Sequence, residues 1–232
     1  MDTLYVVATP IGNLEDITIR AIKTLLSVPV IACEDTRRTG QLVKLLKDRY
    51  RPGIFNFQFS IFNPKYISVR DWNEAESINK ILDQLQTSDV ALVSDAGTPL
   101  ISDPGFKIVR AARAAGISVS PIPGPNAGIA ALSVSGLPTN KFVFMGFLGK
   151  KWELYPDITN IIYESPKRAK RTLQLIKDKY PSAKVVVASE LTKIHEKIQD
   201  WDLEFGKWGL QLGELVILVN FSRSSPTPDV VP

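Results

Sequence analysis

Two acidic and two basic side chains lie together in the short segment 33–38, which reads Cys-Glu-Asp-Thr-Arg-Arg and follows a predicted strand. The carboxylates of Glu34 and Asp35 can accept a proton or bond to a ribose hydroxyl. The guanidinium groups of Arg37 and Arg38 can bind a phosphate. The same pattern is also typical of a helix N-terminus with acidic side chains and an internal ion pair. The segment by itself leaves both roles open.

Three further loops follow predicted strands. Small residues in segment 8–13 (Ala-Thr-Pro-Ile-Gly-Asn) let the backbone approach a ligand. Segment 94–105 places the carboxylate of Asp95 at a strand end, where it suits a polar or cationic ligand. Segment 123–127 opens a helix whose first backbone N–H groups can bind an anion or a polar group. Four such loops at successive strand ends predict a cleft.

Strands and helices alternate in the first half of the chain. Buried strands are predicted at 4–9, 28–33, 90–94 and 117–122. One helix is predicted over 17–27, with Asp16 as its N-cap, and a second over 73–86. A third is predicted to begin with Asp103 as N-cap and Pro104 as its first residue, and to end at about residue 115. This alternation predicts an α/β fold with a doubly wound parallel sheet, whose ligand loops lie at the carboxyl ends of the strands.

A proline-rich junction at 121–126 separates this pattern from a second, more mixed one. Beyond it we predict helices at 126–135 and 166–179, the second with Ser165 as its cap, and strands at 142–148, 158–164, 184–189 and 214–221. We therefore predict an N-terminal α/β domain over 1–122, a C-terminal α/β domain over 123–221 and a flexible tail over 222–232.

The composition excludes several classes of protein. The net charge of +4 is too small to indicate a nucleic-acid binder without a local basic patch. One Cys and one His exclude a disulfide framework, and we expect no metal site. No apolar run reaches membrane-spanning length, and the first residues already form a strand pattern, so we expect a cytoplasmic protein without a membrane segment.

A local basic patch lies in the second half. Residues 165–184 contain seven Lys or Arg and one Asp. Lys167, Arg168, Lys170 and Arg171 occupy the first turns of the predicted helix. A solvated helix face is the ordinary interpretation of such a run. Cations at a helix N-terminus oppose the helix dipole, however, and this favours contact with phosphate groups.

Several longer motifs together resemble one family. ATPIGNLEDIT, ACEDTRRTG, ALVSDAGTPLISDPG, IPGPNAGIAALSVSGLPT, YESPKR and ELTKIHE occur in this order. They resemble the ribosomal RNA small subunit methyltransferase I family, which has the class III, tetrapyrrole-methylase fold. The resemblance implies two α/β domains with S-adenosylmethionine in the cleft between them, and a homodimer. It also implies 2′-O-methylation of a cytidine ribose in the 16S rRNA of the small ribosomal subunit.

The resemblance also assigns residues. It implies that the cofactor is bound by residues from both halves of the chain, namely Pro10, Ile11, Gly12, Asp95, Ala96, Gly97, Pro99, Ile101, Gly124, Pro125, Asn126, Ala127, Tyr163 and Leu191. It places Glu34, Asp35, Arg37 and Arg38 facing the RNA. Candidates for the group that takes the proton from the ribose hydroxyl are Glu34, Asp35, Glu164, Lys193 and His195, with no choice among them. Trp72, Trp152, Trp201 and Trp208 can stack on bases or pack in the core.

The chain departs from the family pattern at five places. Relatives usually have a His-Glu-His-Asn-like element after the third strand. In this chain we place residues 57–64 at that position, and they read Phe-Gln-Phe-Ser-Ile-Phe-Asn-Pro instead. Gly149 and Ser189 stand where Pro and Arg are usual, the insert between residues 148 and 158 is short, and we expect this chain to lack the C-terminal helical extension that many relatives carry. These departures leave two alternatives open: a tetrapyrrole methyltransferase, or a non-catalytic binding module on the same fold.

Overall fold

The computed structural model describes residues 2–50, 63–70, 72–201 and 215–223. The chain divides into two compact units, Met1–Asn126 and Ala127–Pro232. The division falls four residues later than the sequence pattern places it. The reason is a hydrogen bond of 2.9 Å from Oγ1 of Thr98 to the carbonyl oxygen of Pro125, which holds the proline-rich segment to the first unit.

The first unit contains a five-stranded sheet in which every pairing is parallel. The strands are β1 (Thr3–Val7), β2 (Val30–Cys33), β3 (Lys65–Ser68), β4 (Val90–Val93) and β5 (Ser118–Ile122). Their order in the sheet is β3-β2-β4-β1-β5. Because β4 inserts between β1 and β2, the direction of winding reverses beside β1, and ligands of parallel α/β sheets bind at such a point.

Helices cover both faces of this sheet. The helices are α1 (Ile19–Ser27), α2 (Thr36–Arg49), α3 (Glu74–Gln84) and α4 (Phe106–Ala114). Ala91 and Val93 of β4 pack in one core with α1 and α2, whereas Val90 and Leu92 pack in another with α3 and α4. Alternate residues of a strand point to opposite faces, so β4 is buried on both. The predicted doubly wound sheet is confirmed.

Two predicted helix starts are wrong. Helix α1 is capped by Thr18, whose Oγ1 accepts a hydrogen bond from the backbone N–H of Ala21, while Asp16 lies in a preceding 3-10 turn. Helix α4 begins at Phe106 behind Gly105, not at Asp103. The residues between β4 and α4 form a longer loop than predicted, in which Leu100 and Ser102 have positive φ angles of 72° and 68°.

The third strand lies later in the chain than the sequence pattern indicates. Strand β3 begins at Lys65, so residues 57–64 precede it, and the placement of the family's histidine element there is wrong. Residues 57–62, Trp208 and residues 224–232 of the predicted tail lie outside the described residues. The segment that follows β3 contains Arg70, Trp72 and Asn73.

The second unit contains a mixed sheet in the order β6-β7-β10-β8-β9. Its elements are α5 (Ala127–Val134), β6 (Phe142–Phe147), β7 (Thr159–Glu164), α6 (Pro166–Lys179), β8 (Lys184–Ser189), β9 (Lys197–Asp200) and β10 (Leu215–Asn220). Only the β6–β7 pairing among these described strands is parallel. Leu173 and Ile176 of α6 share a core with β7, β8 and β10. The second α/β fold is confirmed.

Candidate functional site

The loops after β1 and β4 are joined through their backbones. Thr9 and Gly97 exchange two hydrogen bonds, of 2.9 and 3.0 Å. Gly97 has a φ of +78°, and a Cβ built on it would lie 3.2 Å from Cγ2 of Ile11. A side chain at this position would therefore be strained and would crowd the neighbouring loop. The two loops meet closely because residue 97 is glycine.

The loop after β5 joins the same group. The hydroxyl of Thr98 donates to the carbonyl of Pro125 in this loop. A Cβ on Gly124 would lie 3.0 Å from Cβ of Ala8, so this loop also approaches its neighbour more closely than a side chain allows. Three predicted ligand loops are thus in direct contact at the carboxyl edge of the sheet.

Asp95 connects the loop after β2 to this group. Its Oδ1 accepts a hydrogen bond of 3.1 Å from the backbone N–H of Asp35, and its Oδ2 lies 3.2 Å from Nη1 of Arg38. Both partners belong to the start of α2. The sequence prediction that four loops converge agrees with this geometry, and a single carboxylate holds the fourth loop in place.

Asp35 itself is the N-cap of α2. Its Oδ1 accepts from the backbone N–H and from Nε of Arg37, and its Oδ2 lies 2.7 Å from Nη2 of the same residue. These hydrogen bonds from Arg37 hold the pKa of the Asp35 carboxyl well below its usual range. The carboxylate in turn raises the pKa of the Arg37 guanidinium. The structural interpretation of segment 33–38, a capped helix with an ion pair, is therefore realised for these two residues.

Two features of the joined loops are energetically costly. The hydroxyl of Thr9 is buried and has no hydrogen-bond partner within the described residues. Leu100 and Ser102 adopt left-handed backbone conformations that residues other than glycine rarely take. Unpaired buried polar groups and strained backbone accumulate at functional sites. Among the remaining cofactor candidates here, Gly12, Ala96 and Ile101 are exposed, Pro99 is buried, and Pro10, Asn126 and Ala127 are partly buried.

The cofactor candidates of the second unit lie near one edge of its sheet. Leu215 of β10 pairs with both Glu164 and Ser189, so the carboxyl ends of β7 and β8 lie at the same edge. The hydroxyl of Tyr163 accepts a hydrogen bond of 3.1 Å from the backbone N–H of Gly128 in α5. Leu191 is buried in the loop that follows β8.

Backbone strain recurs in that loop. Glu190 and Thr192, on either side of Leu191, have positive φ angles of 51° and 65°. The hydroxyl of Thr192 is buried without a hydrogen-bond partner in the described part of the chain. The second unit therefore repeats the combination of strain and an unpaired hydroxyl that marks the loops of the first unit.

Glu164 is fully buried, with 0% of its side chain exposed. It accepts hydrogen bonds from the backbone N–H of Ser165 at 2.8 Å and from Oγ1 of Thr172 at 2.7 Å. Nε of Arg168 lies 3.1 Å away, and the same guanidinium donates to the carbonyl of Leu148. These contacts anchor the first turns of α6 to the sheet.

Lys167, Lys170 and Arg171 are exposed, as is Arg168, but only Arg168 among these four is shown bonded to a buried carboxylate in the described part of the chain. In the loop after β8, His195 is exposed as well, and Nζ of Lys193 lies 3.2 Å from a carboxylate oxygen of Glu190. The predicted basic strip is therefore present on the surface, with one of its four members turned to a structural contact.

A cleft of about 370 Å³ opens beside Asp95 in the first unit. It is lined by Glu34, Asp35, Arg37 and Asp95 together with Arg70 and Trp72. The sequence patterns do not indicate Arg70, and they indicate Trp72 only as one of four tryptophans that can stack. Their position directly after β3 is the one signal for them, and that strand, Lys-Tyr-Ile-Ser, has no clear strand pattern. Within the described residues, no cluster of three or more His, Cys, Asp or Glu is placed to hold a metal, and no helix is long and apolar enough to cross a membrane.

Comparison with solved structures identifies the fold. Diphthine synthase superimposes with a TM-score of 0.70 at 13% identity, covering 96% of this chain and 91% of its own. Uroporphyrin-III-C-methyltransferase from Thermus thermophilus superimposes with a TM-score of 0.64 at 17% identity, covering 94% of each chain. A uroporphyrin-III C-methyltransferase from the same organism, complexed with S-adenyl homocysteine, has a TM-score of 0.58 at 20% identity and covers 93% of this chain and 96% of its own.

Sequence comparison is more specific. The family profile described as Tetrapyrrole (Corrin/Porphyrin) Methylases matches residues 3–205. Ribosomal RNA small subunit methyltransferase I of Hydrogenobaculum sp. is 45% identical over 94% of this chain and 95% of its own length. The protein of that name from Vibrio cholerae is 43% identical over 96% of this chain and 78% of its own length. The chain belongs to the ribosomal RNA small subunit methyltransferase I family of tetrapyrrole-methylase-like methyltransferases.

Proposed function

We propose that the protein is an S-adenosylmethionine-dependent methyltransferase that methylates the 2′-hydroxyl of a cytidine ribose in the 16S rRNA of the small ribosomal subunit. The observation that carries this proposal is the meeting of four loops around Asp95 at the carboxyl edge of the first sheet. Family membership supports the methyltransferase class, and the basic and aromatic residues beside Asp95 and on α6 support an RNA substrate.

The residues of the joined loops fit this cofactor. The buried Thr9 hydroxyl needs a hydrogen-bond partner, which a polar nucleoside can supply. Gly97 and Gly124 let the backbones approach each other, and the Asp95 carboxylate favours a cationic ligand. When bound, S-adenosylmethionine supplies an electrophilic methyl group on a sulfonium. The further residues that we assign to it are Pro10, Ile11, Gly12, Ala96, Pro99, Ile101, Pro125 and Asn126 of the first unit and Ala127, Tyr163 and Leu191 of the second.

The proton of the ribose hydroxyl must be accepted by a group that the substrate can reach. Asp35 is poorly suited because its pKa is lowered by Arg37. Glu164 is fully buried and bonded to three neighbouring residues, so we assign it a structural role. Glu34 lines the cleft beside Asp95 and is partly exposed. We therefore assign proton acceptance to Glu34.

Binding of the RNA backbone requires accessible cations. The Arg37 side chain is 83% exposed at the cleft, and Lys167, Lys170 and Arg171 are exposed on α6. We assign phosphate contacts to these four residues. Arg38 and Arg168 are also exposed, but each is bonded to a carboxylate of another element, Asp95 after β4 and Glu164 of β7, so we assign them to positioning the loop and the helix instead.

We further propose a homodimer. Phe142, Phe144 and Phe147 of β6 are between 37% and 47% exposed, which is unusual for three aromatic side chains of one edge strand. Light scattering coupled to size-exclusion chromatography tests this proposal. A mass of one 25.7 kDa chain at micromolar concentration would contradict it.

The test of the reaction has two steps. Calorimetry with S-adenosylmethionine comes first, and absence of binding would contradict any enzymatic role. Tritiated methyl transfer is then compared between 30S subunits that lack the mark and uroporphyrinogen. We expect label in the RNA, at a nucleotide whose 3′ phosphodiester resists alkali because its 2′-oxygen is methylated. Transfer to uroporphyrinogen alone would support a tetrapyrrole methyltransferase, and cofactor binding with transfer to neither would support a non-catalytic module.

A further inference from the structure

Trp72 differs from the other tryptophans that the structure describes. It is 80% exposed, whereas Trp152 and Trp201 pack against the core of the second unit. An indole so open to solvent makes no packing contribution that would explain its presence. It also lines the cleft beside Asp95, together with Arg37 and Arg70. An aromatic face next to guanidinium groups is the combination with which proteins bind single-stranded nucleic acids.

The turn that carries Trp72 is held by several hydrogen bonds. Oδ1 of Asn73 accepts from the backbone N–H of Arg70 at 2.7 Å, and the backbone N–H of Asn73 donates to the Arg70 carbonyl at 3.0 Å. Nδ2 of Asn73 and Oγ of Ser77 both donate to the carbonyl of Ser68, at the end of β3. These contacts hold Arg70 and Asn73, which precede and follow Trp72 in the chain.

Arg70 connects this turn to the backbone of Glu34, the residue whose carboxylate is the proposed proton acceptor. Its Nε lies 3.4 Å from the carbonyl oxygen of Glu34. The Ser68 hydroxyl also donates to that carbonyl over 3.4 Å. Trp72 and Arg70 are therefore presented next to Glu34 by a hydrogen-bonded framework, in the same cleft as Asp95.

We propose that Trp72 and Arg70 hold one nucleotide of the RNA substrate. The indole of Trp72 stacks on the base, and the guanidinium of Arg70 binds a phosphate, which places the ribose toward Glu34. This proposal rests on the proposed function, and it adds the site at which a single unpaired nucleotide is selected. Stacking of this kind needs a base outside a helix, so a nucleotide inside a duplex is excluded from the cleft.

The experiment uses the full chain and a short single-stranded RNA that contains cytidine. The variants are Trp72→Ala, Trp72→Phe and Arg70→Gln. The matched controls are Tyr155→Ala, which removes another exposed aromatic ring, and Arg113→Gln, which removes an exposed cation from α4. For each protein the dissociation constants of RNA and of S-adenosylmethionine are measured, with circular dichroism to verify folding.

We expect Trp72→Ala to weaken RNA binding by about tenfold while Trp72→Phe retains most of the affinity, because phenylalanine preserves a stacking face. RNA should quench tryptophan fluorescence in the parent protein and much less in Trp72→Phe. Arg70→Gln should lower the salt dependence of binding by about one unit of slope, whereas Trp72→Ala leaves the slope unchanged. Cofactor affinity should not change in any variant.

Other results would overturn the proposal. The proposal is wrong if folded Trp72→Ala binds RNA as tightly as the parent protein. It is also wrong if Tyr155→Ala loses as much RNA affinity as Trp72→Ala. If the parent protein binds RNA and these variants do not differ from it, the nucleotide site is wrong and the proposed function stands. If the parent protein binds no RNA and transfers no methyl group to 30S subunits, both proposals are wrong.

Discussion

The backbone N–H of Asp35 donates a hydrogen bond of 3.1 Å to Oδ1 of Asp95. Asp35 begins α2 and Asp95 follows β4, so this bond joins two elements that are sixty residues apart in sequence. The second oxygen of Asp95 lies 3.2 Å from Arg38, in the first turn of the same helix. One carboxylate therefore organises the part of the site that faces the proposed RNA and the part that faces the proposed cofactor.

Replacement of Asp95 by alanine should weaken cofactor binding without unfolding the chain. The substitution removes the acceptor of two bonds and a negative charge near the proposed sulfonium, and we expect a loss of about 1–3 kcal/mol in binding free energy. Calorimetry with S-adenosylmethionine measures this loss. Asp83→Ala, which removes an exposed carboxylate from α3, is the control. Unchanged affinity in folded Asp95→Ala would show that the cofactor binds elsewhere.

Gly97→Ala and Gly40→Ala should change stability in opposite directions. Gly97 has a φ of +78° and Ile11 lies close to its missing side chain, so alanine should lower the free energy of unfolding by about 1–2 kcal/mol. Gly40 lies inside α2 with open space around it, so alanine there should raise stability by about 0.5–1 kcal/mol. Urea denaturation measures both. A destabilised Gly40→Ala or a neutral Gly97→Ala would contradict these expectations.

Glu164→Gln should affect folding more than the chemical step. The carboxylate accepts hydrogen bonds inside the protein, and weakening them should cost about 1–3 kcal/mol of stability. Thr172→Val, which removes a donor to the same carboxylate, should lower stability similarly. Both variants should retain kcat at a temperature where they are folded. If kcat of Glu164→Gln falls while its urea midpoint equals that of the parent, Glu164 is catalytic and our assignment is wrong.

Cys33 should make stability fall at alkaline pH. Burial raises the pKa of its thiol from 9.0 to about 11, so between these values the unfolded chain releases a proton that the folded chain keeps. The free energy of unfolding should therefore decrease as pH rises through this window, by at most about 1.4 kcal/mol per pH unit from this group. Burial also raises the pKa of Tyr66, with Cys33 as a further cause.

Urea denaturation of the parent protein and of Cys33→Ala between pH 8 and 10.5 tests this prediction. We expect a shallower pH dependence in Cys33→Ala, with Tyr66→Phe as a second comparison. Because Cys33 is the only cysteine of the chain, thiol labelling gives an independent readout. The thiol of the native protein should be labelled slowly. In the urea-unfolded protein it should react at once with one equivalent of the labelling reagent. Fast labelling of the native protein would show that the thiol is not buried.

The exposed cations of α6 should set the salt dependence of RNA binding. Replacement of Lys167, Lys170 and Arg171 by alanine should lower the slope of log Kd against log salt by about one unit for each phosphate that is no longer bound. Arg168→Ala should mainly lower the urea midpoint, since Arg168 is bonded to buried Glu164. Fluorescence titration with RNA at several salt concentrations measures the slope. If the triple variant keeps the slope of the parent, α6 is an ordinary solvated surface.

The central strands and most helices of the fold could be predicted because their residues carry strong local signals. Strands β2 and β4 are continuous apolar runs, and Ser165 with Pro166 indicates the start of α6. Strands β3 and β9 could not be predicted in this way because they have no continuous apolar run, lie at sheet edges and expose polar side chains such as Lys65 and Lys197. Their pairing is determined by neighbouring strands, which a local pattern does not contain.

The site shows the same division between local and long-range information. Loop composition indicates that Pro10, Asp95 and Gly124 belong to one region, because their segments follow successive parallel strands. The bond between Asp95 and Asp35 joins residues that are distant in sequence, so residue types could not show it. The burial of Glu164 depends on packing against α6, which residue types could not show either. Arg70 could not be identified because the third strand, which positions it, has no clear pattern of its own.

The inward and outward residues of α6 have different roles, and this has a practical consequence. Arg168 and Thr172 hold the helix to its sheet through Glu164, whereas Lys167, Lys170 and Arg171 point away from the core. The outward positions can be varied in charge, including a full reversal of sign, on a scaffold whose inward contacts stay intact. This helix is therefore a suitable place to change the target of the enzyme by directed evolution, with no prior round of stabilising substitutions.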